Sequence, residues 1–156
     1  IISVNRALDF LRGRIKRLND CVARVQKEII MLKRSQASEG VGDLIKEIKT
    51  IGETRILLKE FKEYEMNILR TMSDEIKNQA KSCVVVLVSV FPGRLRFLIT
   101  VTDDLVARGC SARKLADIFT AVVGGKGGGK ENKVEGGGKD PARINEAFAK
   151  LMESLK

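Results

Sequence analysis

From its first residue the chain repeats apolar positions at spacings of three and four: Ile1, Val4, Leu8, Leu11, Ile15, Leu18, Val22, Val25, Ile29 and Leu32. The pattern predicts a heptad helix, with Ile1, Leu8, Ile15, Val22 and Ile29 at a and Val4, Leu11, Leu18, Val25 and Leu32 at d. At 1.5 Å per residue it runs about 50 Å. A stripe of two apolar residues per heptad has coiled-coil width, narrower than the face a helix turns toward its own globular core. The seam is therefore expected to bury against a second copy of the chain or a returning helix. No other helical pattern here is as long. The chain also opens on a seam position without an initiator Met, so it is expected to be a piece of a longer protein.

Residues 35–43, SQASEGVGD, read as a turn, with Asp43 capping a short helix through Lys49. Gly52 breaks the pattern, which divides the chain into a helical subdomain, 1–51, and a globular one, 52–156. Arg55–Phe61 reads as a strand and Glu65–Ala80 as a helix with Leu69, Met72 and Ile76 on one face. Cys83–Phe91 is a continuous β-branched run, expected as a central strand buried on both faces. Pro92-Gly93 supplies a turn, and Leu95, Phe97, Ile99 and Val101 alternate in the returning strand. Thr102 caps a one-turn helix ending at Gly109, and Ser111 caps the next, whose Leu115, Ile118, Phe119 and Val122 face inward. Gly124 stops that helix. Asp140-Pro141 then starts a closing helix lined by Ile144, Ala147, Phe148, Leu151 and Leu155. The expected class is α+β: a long coiled-coil-like helical subdomain, then a small α/β subdomain with a mixed sheet.

Between the last two helices lies 124–141, GGKGGGKENKVEGGGKDP, with 8 of the chain's 14 glycines: Gly124, Gly125, Gly127, Gly128, Gly129, Gly136, Gly137 and Gly138. Held between docked helices, it is expected to be a ligand-facing loop. Bare backbone with Lys126, Lys130 and Lys139 beside it could approach a phosphate closely. Packing or a contact between copies remains an equal reading, and a flexible linker is the compositional one. A P-loop is excluded, because Glu131 stands where the Mg²⁺-binding Ser or Thr must be and the run follows a helix. A dinucleotide fingerprint fails at Lys130.

Charge sharpens the picture. The net charge is +9, which favours an anionic partner such as nucleic acid. Residues 1–34 hold nine basic and three acidic side chains, so the first helix supplies +6 of it. Arg6, Lys16, Arg17, Arg24, Lys27 and Arg34 fall at b, c or f, away from the seam, as a track for phosphates would require. There is no histidine, which removes Ser–His and Cys–His nucleophile pairs and imidazole metal ligands. The acids are dispersed, and Asp103-Asp104 read as the favoured charges at a helix start. No catalytic residue, metal site or cofactor is expected in this chain. Cys21, Cys83 and Cys110 read as reduced, buried side chains of a cytosolic protein. No apolar run approaches a membrane span.

The segment SCVVVLVSV, followed by LRFLITVTDDLVARGCSARKLADIFTAVVGGKGGGKENKVEGGGKDPARINEAFAKL, resembles the C-terminal, DHH-associated domains of alanyl-tRNA synthetases, a family shared with RecJ-like phosphoesterases. The likeness covers about residues 52–156, and the paired glycine runs are its most specific part. The heptad helix is similar to the helical subdomain that precedes this domain in the synthetases. The resemblance implies homodimer formation, tRNA docking and help in coupling aminoacylation to editing, with synthetase and editing domains of the same chain as partners. ATP and zinc would belong to those absent domains, and a cytoplasmic location follows. The accessory domain of a RecJ-like exonuclease is the alternative. The eight glycines match the family's, and Lys130 stands at its usual basic position. Glu131-Asn132-Lys133-Val134-Glu135 departs from the family's Pro-Asp-Met-Ala-Gln-like segment and sets carboxylates beside the proposed anion site.

Overall fold

A computed structural model describes residues 2–156, apart from the side chains of 36–39. Ile1, the first expected seam position, lies outside the described residues.

The first helix, α1, runs Ile2–Lys46 and is longer than its heptad pattern, about 68 Å at 1.5 Å per residue. The segment 35–43, expected to be a turn, is helical. Asp43 is not a cap but lies in the last turns of α1, where Lys46 Nζ donates to its Oδ1 at 3.1 Å. The reason is tertiary. Val41 and Leu44 are buried against Ile68, Leu69, Met72 and Ile76, and that burial outweighs the cost of about 1 kcal/mol for each helical glycine at 40 and 42. Helix ends at Lys46, and Lys49–Ile51 is a short strand, β1, rather than more helix. The chain divides into two compact units at Gln36/Ala37, so the end of α1 belongs to the globular unit.

In that unit Thr54–Lys62 forms β2, Met66–Ala80 α2, Val84–Phe91 β3 and Arg94–Val101 β4. Asp103–Ala107 is α3 and Ala112–Val123 α4. The glycine segment contributes two strands, β5 (Lys126–Gly129) and β6 (Lys133–Gly138), before a 3-10 turn at Pro141–Arg143 and α5 at Ile144–Ser154. The strands make one mixed six-stranded sheet in the order β1-β2-β3-β4-β6-β5. Only β2 and β3 run parallel, joined by α2 as a crossover. The expected β3–β4 hairpin is present, with Gly93 at φ 72° in its turn.

Both faces of β3 are buried, as its apolar run, interrupted only by Ser89, requires. One sheet face, with Val84, Val86, Val88, Leu95, Phe97 and Ile99, packs with α4 and α5. The other, with Val85, Leu87 and Leu98, packs with α2 and the end of α1. Gly124 closes α4 in the left-handed conformation, φ 65° and ψ 52°, as expected. Thr102 and Ser111 do stand at N-cap positions, yet neither side chain makes a capping hydrogen bond. Thr102 Oγ1 instead accepts from Cys83 N at 3.3 Å, tying the end of β4 to the start of β3. Asp140 Oδ1 accepts from Ala142 N, the capping bond that its place before Pro141 predicts. Cys83 is buried, and burial pushes its thiol up to about 11. Cys110 is half-buried, whereas Cys21 is exposed, contrary to its expected burial.

Candidate nucleic-acid interface

The glycine segment is a β-hairpin and not a free loop. β6 lies between β4 and β5, so its amides serve two ladders and do not form a nest pointing at a ligand. Glycine is needed here for close approach. A Cβ on Gly136 would lie 2.6 Å from Phe97 Cζ, and one on Gly127 would lie 2.9 Å from the same atom. The Phe97 ring covers this bare pair, filling the space their missing side chains leave. Gly125 and Gly129 would collide with main-chain oxygens of Gly137 and Lys133, and Gly138 with Val123 Cγ2 at 2.7 Å. By contrast, a Cβ on Gly128 meets nothing within 4 Å. One hairpin face is thus packed, and the other is a floor without side chains at Gly128 and Gly137.

The hairpin turn is pinned through its main chain. Val101 N donates to Asn132 O at 2.9 Å, and Ala112 N to Glu131 O at 2.7 Å. Of the carboxylates that the sequence sets beside the proposed anion site, Glu135 is ion-paired. Arg70 of α2 donates from Nε and Nη2 to the two oxygens of Glu135, at 2.6 and 2.5 Å. The Arg70 guanidinium, first by these hydrogen bonds, holds the Glu135 carboxyl below its ordinary range, and the carboxylate keeps Arg70 protonated more firmly in return. Lys133 lies 3.9 Å from Asp74.

Cations flank the bare floor at both ends. Arg94, Arg96, Lys126 and Lys139 line a cavity of about 470 Å³ beside Gly125 and Gly137. Lys77, Lys130 and Lys133 line a second, of about 410 Å³, with Asn132, Gly128 and Glu135. The three lysines expected to act together are therefore separated: Lys126 and Lys139 lie in the first cavity and Lys130 in the second. Arg94 and Arg96 were missed by sequence reasoning. Their signal was present as the polar positions alternating with Leu95 and Phe97. Only the register Arg96↔Gly137↔Lys126 shows that they face the glycines.

On α1 the seam residues Leu8, Leu11, Ile15, Leu18, Val22, Val25, Ile29 and Leu32 are all exposed, between 44% and 64%. Arg6, Lys16, Arg17, Arg24, Lys27 and Arg34 are exposed too, and none of the six is in an ion pair among the described residues. Among those residues no group of three or more Cys, Asp and Glu side chains is placed to hold a metal, and no helix is long and apolar enough to cross a membrane.

The fold has solved counterparts. Residues 53–156 match the model of the DHHA1 domain. The chain belongs to the DHHA1 domain family. This DHHA1 chain is 36% identical over 135 residues to the alanine–tRNA ligase of Bacillus thuringiensis (strain Al Hakam), a match covering 86% of the chain and 15% of the ligase. The alanine–tRNA ligase of Bacillus pumilus (strain SAFR-032) is 34% identical over 131 residues, again across 15% of its length. The chain therefore spans about 15% of the length of these relatives. Among solved structures it is similar to the C-Ala domain of Aquifex aeolicus alanyl-tRNA synthetase, with TM-score 0.65 and 28% identity over 69% of this chain and 96% of that domain. RecJ of Thermus thermophilus shares the fold at TM-score 0.58 and 13% identity, over 80% of this chain and 18% of RecJ.

Proposed function

We propose that this chain is a non-catalytic, tRNA-binding and self-associating C-terminal module of an alanine–tRNA ligase, helping to couple aminoacylation to editing. The observation that carries the reading is the state of α1, where an apolar seam and six cations with no ion pair among the described residues are exposed together on one helix. An apolar stripe of that length needs a partner, and a second copy presents the same seam. The cations at b, c and f stay outside such a contact and remain available to phosphates. Likeness to alanine–tRNA ligases at 36% identity supports the synthetase setting over a RecJ-like exonuclease, with which only the fold is shared. ATP, zinc and the synthetase and editing domains belong to the rest of such a ligase, in the cytoplasm.

The test is filter binding of tRNA to the chain carrying Arg17→Glu, Arg24→Glu and Lys27→Glu. Loss of three duplex phosphate contacts lowers the slope of log affinity against log salt by about 2.7, at about 0.9 per contact. Retention at physiological salt should drop below detection, the slope being read at lower salt, while sedimentation still shows a dimer. Unchanged affinity and slope would remove α1 from the tRNA contact.

A further inference from the structure

On the self-association reading above, we infer that α1 takes a second copy of itself as a two-stranded coil, parallel and in register from Val4 to Leu32. Side-chain shape along the exposed seam selects this geometry. Three of the four described a positions are β-branched, Ile15, Val22 and Ile29, and three of the five d positions are Leu11, Leu18 and Leu32. In a parallel pair the Cα–Cβ bond at a runs alongside the facing backbone, so a branch at Cβ clears it. At d the bond points across the interface, where leucine, branched one carbon further out, fits. β-Branched residues at a with Leu at d therefore favour two strands, whereas Ile at both positions favours three. Continued to the end of α1, the heptad count puts the buried Val41 at f and Leu44 at b, positions that a two-stranded coil leaves outside.

The flanking positions decide direction. A parallel pair sets each g beside the e five residues on in the second copy: Ala7 by Arg12, Arg14 by Asn19, Cys21 by Gln26 and Glu28 by Lys33. No like charges meet, and by symmetry the Glu28–Lys33 contact forms twice. Lys33 already has a partner in the protomer, but its ammonium carries three donors. An antiparallel pair of equal length sets Leu8 beside Val25 and brings g to g and e to e. Arg14 then faces Cys21, Arg12 faces Asn19 and Glu28 faces Ala7, so no opposite charges meet. Slipping that pair by one heptad brings Arg14 to Glu28 but carries Val4 beyond Leu32 of the second copy. Apolar burial is then given up for exposed ion pairs, which are worth little.

The experiment is disulfide exchange in glutathione buffer between whole chains that carry Cys21→Ser and Cys110→Ser, which leaves only the buried Cys83. Each chain gains one seam thiol, L8C, V25C or L32C, and in every mixture one of the two variants carries a mass tag. A disulfide needs Cα atoms within about 7 Å. Parallel, in-register chains should join each thiol to its own counterpart. Hybrids of L8C with V25C or L32C should be absent, because those positions lie about 26 and 36 Å apart along the coil. K27C, at f, should not bridge, and sedimentation of the unaltered chain should read two copies. Spin labels on N5C, which leaves the seam intact, give a second readout: about 35 Å of axial separation in the antiparallel pair and none in the parallel one. A hybrid of L8C with V25C or L32C, or the long N5C separation, would overturn the inference while self-association stands. Particles of three or four chains, or bridging of K27C equal to that of L8C, would overturn it too. Chains that sediment singly at every concentration and form no bridge would remove the self-association reading, and this inference with it, leaving the seam to a helix from elsewhere in the parent chain.

Discussion

The two compact units treat apolar surface in opposite ways. In the globular unit, large apolar side chains of the sheet and its helices close over one another on both sheet faces, down to Phe97 of β4 and Phe119 of α4 with no exposure at all. Residues 2–36 leave every described seam side chain in solvent. Apolar area is worth about 25 cal/mol per Å² when it leaves water, so the globular unit has collected its hydrophobic stabilisation and the helical unit has not. An isolated helix is marginal even with good propensities, because most helical stability in proteins comes from burying one face. On the self-association reading, the contrast predicts that the helical unit is the one that responds to concentration.

Placing charge in the seam should break this contrast with the largest effect. Ile15→Asp with Val22→Asp puts two carboxylates where a second copy would desolvate them. The variant is expected to sediment as a monomer and to lose helical circular dichroism from the N-terminal unit, while the globular unit keeps its melting transition. A variant that remains dimeric would shift the contact between copies to the globular unit.

The hairpin supplies a comparison on a smaller scale. Gly136→Ala drives a methyl into the Phe97 ring and the Gly127 main chain, and overpacking of that kind costs about 1–3 kcal/mol. Gly128→Ala enters open space without a positive φ and should stay within about 0.5 kcal/mol. Urea denaturation of the two variants measures both numbers. Equal costs would mean that the glycines answer to backbone freedom rather than to close approach.

Much of this could be read from the chain. The seam, the continuous run of β3, the alternation of β4 and the Gly124 stop each rest on a local pattern, and each has its element in the structure. Two features could not be read that way. Gly40 and Gly42 look like a break because propensity is local, whereas the burial of Val41 and Leu44 depends on α2, more than twenty residues away. The glycine runs look like a loop because glycine has poor strand propensity. Their strand state depends on pairing with β4 and on cover from Phe97, both set by tertiary register. The same register hides Arg94 and Arg96, which are ordinary exposed positions until β6 is laid beside them.

The smallest expected effect concerns Glu135, and its sign can be worked out. Arg70 holds the folded carboxyl below its ordinary value, which in the unfolded chain is about 4.3. The unfolded state therefore binds the proton first as pH falls. The pair's contribution is fully present above the unfolded value and is lost as pH drops through the folded one. Glu135→Gln removes the ion pair without changing size. Its urea midpoint should sit slightly below that of the unaltered chain at neutral pH, and the gap should close in acid. The gap should be smaller than that of Gly136→Ala, because the Arg70 side chain is half exposed and solvent screens the pair. A gap that persists unchanged into strong acid would mean that hydrogen bonding to Arg70, not charge, holds α2 to the hairpin. With the ion pair intact, Arg70 is committed to Glu135.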